Sequence, residues 1–199
     1  MLVAAVALAA TLTLGRGNAH AAKRALWVWK QGLPGQPIQA DAAMAAVARA
    51  GGVDSQQLRE VARAESGDRT LTLLSGPDGS GHACFSVATT GFATQFHCGW
   101  QASTRAILAR PMFGGTDPQT LNRGLVVGVA RGDVARLILT RSDGTTTDLT
   151  LNFWNGFAYG GSSAGSIPVA LTAYNAAGRQ LDRMTFEASA PCGGLTSAC

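Results

Sequence analysis

From Leu125 to Phe186 the chain alternates short apolar runs with tight-turn residues, and this rhythm constrains the fold more than any other feature. Strand-like runs cover residues 125–130, 134–141, 147–152, 157–159, 169–175 and 180–186. Gly132-Asp133, Ser142-Asp143-Gly144 and Ala177-Gly178 separate several of them. Short runs at such regular spacing predict antiparallel strands of a small β-sandwich. No charged residue interrupts 125–130, so that strand is expected at the centre of its sheet.

The preceding half mixes periods. Residues 41–50 are alanine-rich with Met44 and Val47 three apart, a helix ended by Gly51-Gly52. A second helix is expected from the helical spacing of Leu58, Val61 and Ala62, capped by Asp54 or Ser55 and closed by Ser66-Gly67. Residues 70–74, 82–88 and 95–100 then read as three antiparallel strands. Pairing Cys84 with Cys98 sets Ser86 against Phe96 and His82 against Trp100, leaving Phe85, Val87 and His97 on the other face. A strand is expected at 23–30 and a helical turn at 103–108. The fold class is therefore mainly β with short N-terminal helices (α+β). A helix-plus-β-meander lobe at 22–110 carries a disulfide, a linker spans 111–123, and a β-sandwich lobe follows at 124–199.

Residues 2–14 form an unbroken apolar run of about 13, the length of a signal-peptide core and short of the ~20 that span a bilayer. Ala19 and Ala21 suit a signal peptidase, so 1–21 is expected to be removed and the remainder secreted; retention of the segment would give a membrane-anchored extracellular domain. Four cysteines in such a chain predict disulfides with three possible connectivities, of which Cys84–Cys98 and Cys192–Cys199 close the shortest loops. The net charge of +4 comes from scattered residues, fourteen of the sixteen being Arg. Without clustered cations and interleaved aromatics, no nucleic-acid partner is expected.

Gly128-Val129-Ala130 before a turn, Val134-Ala135-Arg136-Leu137, the hairpin at Asp143-Gly144 and Ala173-Tyr174-Asn175-Ala176-Ala177-Gly178 together resemble immunoglobulin-like modules of bacterial surface and secreted proteins. Such modules usually carry Asp where Asn175 stands and run longer. The first difference weakens an inherited calcium role, and the second implies that the first lobe completes the sheet. The whole chain is similar to secreted proteins of high-G+C Gram-positive bacteria in which a disulfide-bearing β segment precedes such a module, a likeness that brings no activity with it.

Four motifs compete with blander explanations. Gly161-Ser162-Ser163-Ala164-Gly165 matches the nucleophile pattern of serine hydrolases, but a strand-like segment follows it and no histidine lies beyond Ser163. An order-independent triad of Asp133 or Asp148 with His97 has no support from spacing. His82, Cys84, His97 and Cys98 offer zinc-ligand types, yet strand alternation turns His97 away from Cys98 and oxidation removes both thiolates, so no metal is expected. Arg131-Gly132-Asp133 spells an integrin-binding tripeptide where Gly-Asp is ordinary turn chemistry. Trp154, between Asn152 and Asn155, is the best candidate for stacking on a sugar ring, with the amides beside it as hydroxyl partners; core packing is its commoner use.

The sequence thus predicts an exported, non-catalytic binding or structural module of the cell envelope. Its partner is unspecified, cell-wall polysaccharide or another envelope protein being the candidates, and no cofactor is implied. The rival function is a secreted serine hydrolase using Ser163.

Overall fold

A computed structural model of the chain describes residues 33–67, 69–89, 92–98, 105–112, 124–161 and 166–186. Among the described residues the fold is mainly β, in three antiparallel sheets. Sheet I runs in the order β1 (Gln36–Pro37), β2 (Arg59–Ser66), β3 (Arg69–Pro77), β4 (Ala83–Thr89) and β5 (Phe92–Ala93). Sheet II has β7 (Leu125–Ala130) between β10 (Gly156–Gly160) and β6 (Ile107–Met112). Sheet III runs β12 (Gln180–Thr185), β11 (Pro168–Tyr174), β8 (Arg136–Arg141) and β9 (Thr146–Leu149).

Among the described residues three apolar clusters stack these elements into layers. Helix α1 (Ala42–Ala50) starts where Asp41 accepts the Met44 N–H at 2.8 Å. It covers the outer face of sheet I through Ala48, which packs with Leu58, Leu74, Cys84 and Phe96. The inner face of sheet I, including Leu71, Leu73, Phe85 and Val87, meets Leu125, Val127 and Val129 of β7. Val126 and Ala130 of β7 point the other way, into a core with Leu137, Leu139, Leu171 and Ala173 of sheet III. The expected central strand is therefore central in its sheet and buried on both faces.

The expected second helix is largely a strand, and the expected helical turn at 103–108 ends in one. The segment read as a second helix contributes only a 3-10 turn at Ser55–Gln57, capped by Asp54, before β2. Its helical spacing has a physical origin in a β-bulge: the β2–β3 register passes from Glu60↔Leu74 to Ala62↔Leu73, leaving Val61 as the extra residue. Val61 and Ala62 then both enter the core between sheets I and II, imitating an i, i+3, i+4 stripe with Leu58. Within 103–108, Ile107 opens β6 instead of closing a helical turn, and pairs with Ala130. Strand β6 runs across position 110/111 and pairs along its length with β7.

The expected strand at 95–100 is represented by the Phe85↔His97 bridge, ahead of which the two-residue β5 pairs with the end of β4. Residues 1–21, the run 23–30, Ser163, Cys192 and Cys199 lie outside the described residues, as does Trp100.

Sheets I and II approach unusually closely along β2 and β10. A Cβ on Gly156 would lie 2.5 Å from the Val61 carbonyl oxygen, and one on Gly160 would overlap the carbonyl of Glu65. The two strands thus run in step, 156 with 61 and 160 with 65, and only glycine permits the contact. Gly160→Ala is expected to lower stability by about 1–3 kcal/mol, the usual cost of overpacking. Urea unfolding measures it; an unchanged midpoint would contradict the close approach.

Candidate functional site

The turn ahead of β10 is held by a single side chain. Asn152 donates through Nδ2 to the carbonyl of Val61 at 2.8 Å, and its Oδ1 accepts the N–H groups of Trp154 (3.0 Å) and Gly156 (2.8 Å). Val61 is the bulged residue of β2, where the β2–β3 register shifts, and the amide bonds its carbonyl at that break in the ladder. Asn155 adopts a left-handed backbone, φ 58°, and its carbonyl accepts from Ala130 of β7. Asn tolerates that conformation better than most residues. The turn is therefore tied to sheet I through Asn152 and to sheet II through Asn155.

What the turn presents is aromatic. Phe153 is 85% exposed, and its ring meets that of half-buried Trp154 edge-on, with centroids 5.6 Å apart. The structure brings the three expected residues together but changes their roles. The Asn152 amide is committed to backbone groups, Asn155 contributes its backbone, and Trp154 supports a neighbour more exposed than itself. Phe153 is the residue that sequence reasoning passed over. The available signal was its place beside Asn-Gly turn chemistry, where an apolar side chain lacks a core to enter.

The other candidates resolve into structural roles. Cys84 and Cys98 form a disulfide, with Cys84 buried beneath α1 and Cys98 exposed. His97 bridges Phe85 and so faces away from Cys84, as strand alternation requires. Asp78 caps the loop before β4, accepting from the backbone of Ser80 and His82 at 2.8 Å, while the His82 ring Nδ1 lies 3.2 Å from its second oxygen. The His82 N–H is the first cause holding the Asp78 carboxyl below its ordinary range. Asp78 lies close enough to both sulfurs to suggest a metal site, but two sulfurs bonded to each other offer no thiolate.

Arg131 and Asp133 close on each other through bonds of 2.7 and 2.8 Å, which folds the Arg-Gly-Asp tripeptide shut. Arg136 holds Asp148 in the same way at 2.7 and 3.0 Å. Neither carboxylate therefore orients a histidine. Downstream of Ser163 the described chain enters strand β11, whereas a hydrolase nucleophile sits on a strand–turn–helix elbow.

No protein-family model and no curated protein matches the chain. Among the described residues no helix is long and apolar enough to cross a membrane. The disulfide fits an oxidising, extracellular environment.

Asn152→Ala would strand the Val61 carbonyl and two turn N–H groups. The expected loss is about 1–3 kcal/mol in unfolding free energy, with Trp154 fluorescence shifting toward that of exposed indole. Wild-type stability with an unchanged emission maximum would show that the turn does not depend on this amide.

Proposed function

We propose that the protein is an exported, non-catalytic binding module of the cell envelope whose recognition element is the Phe153–Trp154 turn. The observation that carries this reading is the 85% exposure of Phe153 on a backbone fixed at both ends. A large apolar ring in water is unfavourable until a partner covers it, and a pre-ordered turn loses little conformational entropy when that happens. Export is supported by the Cys84–Cys98 disulfide together with the apolar run at 2–14. The strand orders β6-β7-β10 and β12-β11-β8-β9 support the immunoglobulin-like resemblance, in which end loops of a sandwich carry recognition.

Cell-wall polysaccharide is the partner that the site chemistry favours. An exposed ring face complements the C–H face of a sugar, and a polymer presents many such faces to a weak site. The Phe153 edge contact keeps the two rings at right angles, so they offer separate surfaces and not one flat platform. Phe153→Ala is expected to reduce retention of the purified protein on insoluble cell-wall polysaccharide by about tenfold or more, with unfolding behaviour unchanged. Equal retention of the variant and the parent would remove the turn as the recognition element.

A further inference from the structure

We infer that the open edge between sheets I and II is a binding site for a small free carboxylate carrying a short apolar body. A groove of about 410 Å³ lies there, within the ~300–1,000 Å³ of small-molecule sites. Leu71, Val87 and Met112 form its apolar part and belong to the core between the two sheets. Arg110 and His97 line the groove, and among the described residues no acidic side chain does.

The placement of these two side chains follows from strand alternation. Arg110 stands between Leu108 and Met112 on the face of β6 that looks toward sheet I. His97 bridges Phe85 on the face of sheet I that looks toward sheet II. Both are exposed, and among the described residues Arg110 has no ion-pair or hydrogen-bond partner. A guanidinium at the rim of an apolar groove is complementary to a carboxylate whose hydrocarbon part enters the groove.

Two further hollows among the described residues lack this polarity. Beneath α1, Arg63 shares the lining with Asp41 and Glu60 and is held by Glu60 at 2.6 Å. The hollow beside the Asp78 turn sets Arg49 against Asp54 and Asp78.

The edge of β6 also disfavours a peptide strand as occupant. Its Ile107 N–H is taken by Asp182 at 3.2 Å, and Pro111 has no N–H to offer. A small ligand needs no ladder of donors.

Titration of the ¹⁵N-labelled protein with octanoate tests the inference, with octanol and acetate as probes lacking the charge and the apolar body. Saturable octanoate binding is expected to shift the amides of Val87 and Met112. Octanol and acetate should bind at least about tenfold more weakly, and exposed Arg110→Gln should weaken octanoate by a similar factor without altering the remaining spectrum. Three results would each overturn it: no saturable octanoate binding, octanol binding as tightly as octanoate, or an Arg110→Gln protein that binds octanoate like the parent. Retention on polysaccharide should be the same for Arg110→Gln and the parent, since the groove and the Phe153 turn lie on different elements.

Discussion

Burial of β7 on both faces is the constraint on which the remaining architecture depends. Leu125, Val126, Val127, Val129 and Ala130 are all fully excluded from solvent. Odd-numbered residues enter the core shared with sheet I and even-numbered ones the core shared with sheet III. An antiparallel strand with one wet face alternates apolar and polar residues, whereas this one is apolar throughout because it has no wet face. Gly128 completes the strand by leaving room for the ring of Phe157, which occupies the space a Cβ would need. Loss of either outer sheet would expose half of the most hydrophobic segment of the described chain.

The candidate site grows out of the same layering. To press sheet I onto sheet II, β2 must come within backbone contact of β10, which explains Gly156 and Gly160. The bulge at Val61 interrupts the ladder at that junction, and Asn152 reaches across to bond the Val61 carbonyl. The side chain that seals the interface therefore also fixes the turn projecting Phe153. At the opposite edge of sheet II, Asp182 of β12 accepts the backbone N–H groups of Ala106 and Ile107 and the guanidinium of Arg105, tying β6 to sheet III. The strand carrying Arg110 is thus held in place from the far side of the groove it lines.

Much of this was legible in residue patterns that depend on local chemistry. The uninterrupted apolar run of β7, the Asp-Gly turns, the Asp41-capped helix and the opposition of Cys84 to Cys98 all follow from alternation, capping or turn preference. The misread elements are those decided by distant partners. The Leu58, Val61, Ala62 stripe has helical spacing only because a bulge turns two consecutive residues inward, and its pairing with β3 overrides alanine's helical preference. Asn152 stands out in the sequence as a candidate hydroxyl partner, but the carbonyl it bonds lies 91 positions away, which no local pattern encodes. Phe153 was missed because composition treats every phenylalanine as a core residue, and only the path of the backbone shows that this one points into water.

Native-state hydrogen exchange read amide by amide addresses the central role of β7 most directly. If β7 joins the two outer sheets into one cooperative unit, the amides of Val126, Val127, Gly128 and Val129 exchange only through global unfolding, with the same opening free energy and denaturant dependence as the most protected amides of β3 and β11. A measurably smaller opening free energy for those four amides, with β3 or β11 still protected, would contradict the account and show that an outer sheet keeps its structure without β7.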